Sequence, residues 1–175
     1  MNFLHTLKIC VTLIVITLFT VSCTEEQSSL NISDIEGKAQ IIGNISYSTG
    51  TELLNGEYKN NMRAANNVKV LVKISNQSLD PKHAANGYTI YETTTDFNGD
   101  YKIEVPAVEN DGQGTTVIIA PESFLGKYSI TTYNKRETQN GIFETNISEG
   151  TVRVLPNDLK VVDLTYRFTK RKTEY

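Results

Sequence analysis

The feature that most constrains the fold is a series of short segments rich in Val, Ile, Thr and Tyr, separated by clusters of Gly, Asn and Asp. Such segments are typical of β-strands, and no window shows the repeat of about 3.6 residues that indicates a helix. In NVKVLVKIS (67–75), Val68, Val70, Val72 and Ile74 alternate with the side chains between them. This alternation predicts a strand with one face in the core and the other outside.

The spacing of these segments predicts an all-β fold, a single antiparallel β-sandwich of about 7–9 strands, because no helices separate the strands. Gly43 is expected to form a bulge or kink in the first strand. The segment TTVIIAP is apolar on both faces, as is typical of a central strand. The predicted strands are residues 38–47, 67–75, 88–95, 100–105, 115–121, 127–134, 141–147, 151–156 and 159–168.

The segment STGTELLNGEYKNNMRAAN (48–66) is predicted to be a long loop between strands. Leu53 and Leu54 are expected to hold it against the core, and residues 57–65 to form a turn or two of helix. Long ordered loops often carry function, so this segment is the first place to look for a binding site.

The segment TTTDFNGDYKIEVPA (93–107) carries Asp96, Asn98 and Asp100 at alternate positions, as a calcium loop does. An EF-hand loop needs glycine at its sixth position and glutamate at its twelfth. Gly99 falls at the fourth position and alanine at the twelfth, which excludes an EF-hand. A looser calcium site on the three loop oxygens stays open as an alternative.

A hairpin accounts for the same residues. A three-residue loop, residues 97–99, pairs Thr95 with Tyr101 and Thr93 with Ile103, and this register puts the apolar side chains on one face. One face then carries Tyr91, Thr93, Thr95, Tyr101, Ile103 and Val105, and the other carries Glu92, Thr94, Lys102 and Glu104.

In this hairpin, Asp96, Asn98 and Gly99 are predicted to be structural turn residues. Asp96 accepts a hydrogen bond from the backbone two residues on, and Gly99 supplies a positive φ. The prediction is therefore a turn rather than a metal or catalytic site.

The predicted hairpin in residues 93–107 is one of several sequence motifs along the chain. The segments IIGNISY, NNVKVLVK, TTDFNGDY and TVRVLPNDLKVVDLTYRF resemble, in that order, the motifs of carboxypeptidase regulatory-like domains. The resemblance covers most of residues 38–168. It implies a transthyretin-like (prealbumin-like) β-sandwich, and it carries over no catalytic residues, because that fold has none of its own.

The N-terminus has the pattern of a secretory leader. Residues 9–21 are apolar and uncharged, which is too short for a membrane-spanning helix but suits a signal peptide. TVSC (20–23) resembles a bacterial lipobox, which implies cleavage after residue 22 and lipidation of Cys23. Because Cys10 lies within the leader, Cys23 would be the only cysteine left and could form no internal disulfide. The alternative is an uncleaved signal anchor.

The predicted organisation has four parts. Residues 1–22 form the signal peptide, residues 23–36 a flexible tether, residues 37–169 the sandwich, and residues 170–175 a frayed basic tail. In the tether, the acidic pair Glu25-Glu26 is similar to an export signal of surface-displayed lipoproteins. The alternative is a solvated linker.

Charge and chemistry exclude several functions. Removal of the leader takes away one of the 17 basic residues and none of the 20 acidic ones, so the net charge becomes −4 and gives no reason to bind nucleic acid. Beyond the leader, His83 is the only histidine, and its segment predicts an exposed loop. That leaves no usual zinc site and no serine–histidine catalysis. Glu92 and Glu104 are expected as a solvated cross-strand pair rather than as glycosidase acids. The prediction is a protein that is not an enzyme and has no cofactor or metal.

These observations predict a non-enzymatic lipoprotein of the cell envelope that binds or scaffolds a partner at the membrane surface. The expected partners are the membrane, through the lipid, and an envelope protein or a glycan. The expected location is the outer membrane, facing the cell exterior. The alternative is a fimbrillin-like or adhesin-type fibre subunit that assembles by strand addition. In that case strand 159–168 would be donated to a neighbour instead of pairing within its own sheet.

Overall fold

The computed structural model describes residues 35–80, 86–110, 112–133 and 135–171. These residues form eleven strands and one helical turn, α1 (Asn76–Leu79). The strands are β1 (Lys38–Leu54), β2 (Glu57–Ala64), β3 (Lys69–Ser75), β4 (Tyr88–Thr94), β5 (Asp100–Pro106), β6 (Thr115–Pro121), β7 (Phe124–Thr131), β8 (Arg136–Glu144), β9 (Thr151–Val154), β10 (Leu159–Val161) and β11 (Leu164–Lys170).

The strands form two sheets that pack as a sandwich, which confirms the predicted fold class. The smaller sheet has the order β4-β3-β6-β9 and is antiparallel throughout. The larger sheet has seven strands, with the path β10-β1-β11-β8-β7, and both β2 and β5 pair with β1. It is antiparallel except where β1 lies parallel to β7, β10 and β11.

The long strand β1 organises the larger sheet because it changes partners along its length. Residues 38–44 pair with β5, and residues 40–42 also pair with β10. From Ile45 onward, β1 pairs with β11 and β2. An extended strand of 17 residues spans about 50 Å. Its start and end therefore lie at opposite ends of the sheet.

The core lies between the two sheets. The central strands contribute buried side chains at alternate positions, among them Ile41, Val72, Ile119 and Phe143. Phe143 belongs to an aromatic cluster in which neighbouring ring centroids lie 4.9–5.3 Å apart, a spacing typical of favourable ring pairs. The cluster consists of Tyr47, Phe124, Tyr128, Phe143, Tyr166 and Phe168.

The structure corrects the prediction for residues 48–66, which form neither a loop nor a helix. The chain continues β1 to Leu54, turns at Asn55-Gly56 and returns as β2. Both turn residues have a positive φ, +51° and +84°, which is the geometry of a two-residue type I′ hairpin. Leu54 does not hold this segment to the core, since it is 43% exposed.

Two further predictions differ from the structure. Gly43 lies in a regular stretch of the β1–β5 register, and a Cβ there would lie 1.9 Å from the Val162 carbonyl oxygen. Glycine is required at this position for close approach of two backbones, whereas the irregularity of β1 lies between Ser48 and Thr51. The predicted strand 159–168 is two strands, which together with β2 raises the strand number to eleven.

The predicted basic tail begins inside the sheet. Lys170 is the last residue of β11, and the Arg171 backbone N–H donates a hydrogen bond to the Asn140 carbonyl oxygen. Residues 172–175 lie outside the described part of the chain. Pairing with β8 therefore orders the start of a segment that composition alone suggested would be frayed.

The chain between β4 and β5 connects the two sheets instead of closing a hairpin. β4 pairs with β3 in the smaller sheet, and β5 pairs with β1 in the larger one. The predicted ladder between β4 and β5 is therefore wrong. The predicted faces are right, because Thr95, Tyr101 and Val105 point into the core while Glu92 and Lys102 are exposed. Two strands that face the same core from opposite sheets show the same alternation as two paired strands.

Candidate functional site

The acidic motif forms a tight turn at the corner of the sandwich. The Asp96 carboxylate accepts hydrogen bonds from the backbone N–H groups of Asn98 and Asp100, at 2.8 and 2.9 Å. The Gly99 N–H donates to the Asp96 carbonyl, and Gly99 has a φ of +81°. These contacts make Asp96 the residue that shapes the turn.

The turn is attached to β1 by an asparagine that the sequence did not single out. The Asn44 side-chain amide donates to the Asp100 carboxylate at 2.7 Å and to the Asn98 carbonyl at 2.8 Å. One carboxylate oxygen of Asp96 and one of Asp100 thus accept hydrogen bonds from N–H groups of the protein. Within the described ranges, no group of three His, Cys, Asp or Glu side chains is arranged to hold a metal ion.

The two glutamates considered as a pair lie in different sheets. Glu92 on β4 is 3.5 Å from the Lys69 ammonium, and Glu104 on β5 is 2.8 Å from the Lys38 ammonium. All four side chains are about half exposed, with values from 46% to 62%. The expected cross-strand pair is therefore absent, because β4 and β5 separate, and each carboxylate belongs to a surface ion pair.

Two buried tyrosines connect segments that are distant in the sequence. The Tyr101 hydroxyl donates to the Val162 carbonyl at 2.7 Å, and the Tyr166 hydroxyl donates to the Glu122 carbonyl at 2.6 Å. Burial raises the pKa of both phenols well above the ordinary value near 10, with smaller contributions from the charges of Asp163 and Glu122. Their role is structural, since each hydroxyl satisfies a backbone carbonyl.

A cleft of about 360 Å³ opens where β2 leads into β3. Its lining includes Tyr47 and Phe124, whose ring centroids lie 5.3 Å apart at 82°. The side chains of Lys69 and Glu122, which also line it, are 3.9 Å apart. The lining thus combines aromatic, amide and charged residues, a mixture suited to binding a polar ligand. The lining residues are Tyr47, Ala64, Ala65, Asn66, Asn67, Val68, Lys69, Glu122, Ser123 and Phe124.

Beyond the cleft, residues 49–62 form a projecting hairpin, the β1–β2 arm. β7 lies beside its β1 side over residues 50–52, whereas β2 pairs with β1 alone. The side chains of β2 are exposed on both faces as far as Arg63. Tyr58 is 60% exposed and Met62 is 49% exposed. Because β2 pairs on one side only, its other edge is a candidate interaction surface.

The sequence contained a signal for this arm that the prediction missed. Asn-Gly between two extended segments is a strong indicator of a two-residue hairpin turn, and Asn55-Gly56 is such a pair. The polar composition of residues 57–63 obscured it, because a strand exposed on both faces lacks the alternation of apolar and polar residues that identifies half-buried strands.

Several predictions fall outside the described part of the chain. They concern the signal peptide, the tether as far as residue 34 with Cys23 and Glu25-Glu26, and His83. Within the described part, no helix has the length and apolar character needed to span a bilayer.

No family model and no curated protein matches this chain. Among solved structures, it is similar to the major plantain pollen allergen, with 15% sequence identity and a TM-score of 0.31. The alignment covers 78% of this chain and 98% of that one. A similarity at this level does not assign the chain to a family.

Proposed function

We propose that the protein is a non-enzymatic lipoprotein of the outer membrane, anchored through Cys23, that binds an envelope protein or a glycan at the cell surface. The β1–β2 arm and the cleft at its base are the binding region. The resemblance to carboxypeptidase regulatory-like domains is part of this proposal, since such a sandwich supports binding without catalytic residues of its own.

The observation that carries the proposal is the course of β1. The predicted tether joins the sandwich just before Lys38, where β1 begins, and the arm lies where β1 ends, about 50 Å further along the strand. A lipid on Cys23 would therefore hold one end of the sheet at the membrane while the arm and the cleft stay accessible.

The pairing of the C-terminal strands favours this proposal over a fibre subunit. β10 and β11 both pair with β1 of the same chain, and β11 also pairs with β8. A strand donated to a neighbour would leave a gap beside β1. With this gap filled from within the chain, each chain is expected to complete its own sandwich without a strand donated by a neighbour.

The anchor is tested by replacing Cys23 with alanine in the full-length chain expressed in a Gram-negative host. We expect incorporation of radiolabelled palmitate to be lost, because the thiol is the acceptor of the lipid. We also expect the chain to be retained at its signal peptide or released from the outer-membrane fraction. The measurements are labelling, membrane fractionation and proteinase treatment of intact cells.

The control is Ser22→Ala, which keeps a small residue beside the cysteine and should leave labelling unchanged. Palmitate labelling of the Cys23→Ala chain at the level of the unmodified chain would contradict the anchor. Protection of the unmodified chain from proteinase in intact cells would place it on the periplasmic side instead.

A further inference from the structure

The outer edge of β2 is the longest open strand edge in the described part of the chain. β2 has eight residues, no proline, and pairing on one side only. The other outer strands are shorter or partly covered. β9 and β10 have four and three residues, and the backbone of β5 approaches β4 closely enough for Thr93 to donate a hydrogen bond to the Lys102 carbonyl. An open edge of this length can accept another strand.

The hydrogen bonds of β2 show which of its residues face this open edge. The Ala65 N–H donates to the Ile45 carbonyl, and the Asn61 carbonyl accepts a hydrogen bond from the Thr49 hydroxyl, so the odd-numbered residues face β1. Backbone groups alternate in direction along a strand. The even-numbered residues Tyr58 and Met62, with Asn60 between them, therefore point their N–H and C=O groups away from the sheet.

The direction of these backbone groups limits how a second copy of β2 can pair. In an antiparallel ladder, residues whose backbone groups point towards the partner strand lie opposite each other. Even-numbered residues of one copy must therefore lie opposite even-numbered residues of the other. Two symmetric registers then pair seven residues of β2, one centred on Asn60 and one on Asn61. The register centred on Asn61 places Lys59 opposite Arg63 twice, which puts like charges together and is unfavourable.

The register centred on Asn60 is complementary throughout. Glu57 lies opposite Arg63 at both ends, Tyr58 lies opposite Met62, and Lys59 lies opposite Asn61. Opposite charges and aromatic–sulfur neighbours both stabilise cross-strand pairs. Among the described residues, neither Glu57 nor Arg63 forms an ion pair within the chain. Their charges are therefore available to a partner.

We propose that two copies of this protein associate through an antiparallel β2–β2 pair centred on Asn60, which joins the two larger sheets into one continuous sheet. The contact is isologous, so it closes at a dimer and does not propagate into a fibre. Its two-fold axis is perpendicular to the sheet. The dimer goes beyond the proposed anchoring function and does not depend on the lipid.

Disulfide trapping tests the register directly. In the full chain carrying Cys10→Ala and Cys23→Ala, an introduced cysteine is the only thiol. Asn60→Cys would place two Cα atoms about 5.5 Å apart across the axis, within the range for a disulfide. Asn61→Cys is the matched control, because its two copies lie about 7–8 Å apart in this register.

After mild oxidation of the purified protein, we expect most of the Asn60→Cys chain at twice the monomer mass on a non-reducing gel. The Asn61→Cys chain should remain at the monomer mass. Equal cross-linking of both variants, preferential cross-linking of Asn61→Cys, or absence of cross-linking in both would overturn the proposal. These outcomes do not depend on lipidation, so they are distinct from failure of the Cys23 test.

Charge exchange gives an independent test by sedimentation equilibrium. Glu57→Arg or Arg63→Glu alone creates two like-charge contacts, and each is expected to raise the dimer dissociation constant about tenfold. The double variant restores opposite charges and should return the constant to within about twofold of the original. Since both positions are exposed, we expect the variants to fold, and circular dichroism would verify this. A double variant as weak as the single ones, or a monomeric unmodified chain, would refute the pairing.

Discussion

Replacing Gly99 with valine is expected to lower the free energy of unfolding by about 3 kcal/mol. Gly99 has a φ of +81°, a conformation that a β-branched side chain resists. A Cβ at this position would also lie 2.4 Å from the Ile45 carbonyl oxygen, a backbone atom that cannot move aside without disturbing β1. Urea unfolding followed by circular dichroism would measure the loss.

Gly56→Val is the matched control for this prediction. Gly56 has nearly the same φ, +84°, but a Cβ there would have no atom within 4 Å. It should therefore lose only the part due to backbone conformation, about 1–2 kcal/mol. Equal losses in the two variants would show that the contact with β1 contributes nothing to the role of Gly99.

The second large effect is a loss of stability in alkali. Tyr101 and Tyr166 are 4% and 3% exposed, and burial raises the pKa of each phenol above its value near 10 in the unfolded chain. Above pH 10 the unfolded chain releases these protons while the folded chain keeps them, so the free energy of unfolding falls as pH rises. Well above pH 10 the fall approaches about 1.4 kcal/mol per pH unit for each tyrosine, and about 2.8 for both together.

Urea unfolding at pH 9, 10 and 11 would measure this slope. Tyr101→Phe should roughly halve the loss between pH 10 and pH 11. It should also cost about 1 kcal/mol at neutral pH, because the Val162 carbonyl loses its hydrogen-bond donor. Tyr166→Phe should behave alike, and the double variant should show little dependence on pH in this range. An unchanged alkaline slope in the double variant would assign the pH dependence to other groups.

Local sequence patterns predicted the half-buried strands well. β3 and β5 were recognised because their apolar side chains alternate, and the same side chains are buried in the structure. Most of the core residues on these strands follow from this alternation, since a strand with one buried face carries apolar side chains at every second position. The arm was missed for the complementary reason, because a strand without a buried face leaves no such signal.

The partners of the strands could not be predicted from these patterns. The alternation of apolar and polar side chains on β4 and β5 is the same whether the two strands pair with each other or face the core from opposite sheets. Similarly, Asn44 carries no sign in the sequence of its hydrogen bonds to the turn at Asn98 and Asp100, which lie more than 50 positions away. Such contacts depend on how the sheets are brought together.

By itself, the sequence determined the all-β class, the alternation of inner and outer faces, and the turn at Asp96, because each depends on residues close together in the chain. Only the tertiary structure decided that β1 pairs with five other strands, that 48–66 is a projecting hairpin, and that β2 has an open edge. These features depend on backbone hydrogen bonds between distant segments. Backbone groups are the same in every residue except proline, so their pairing leaves little trace in the sequence.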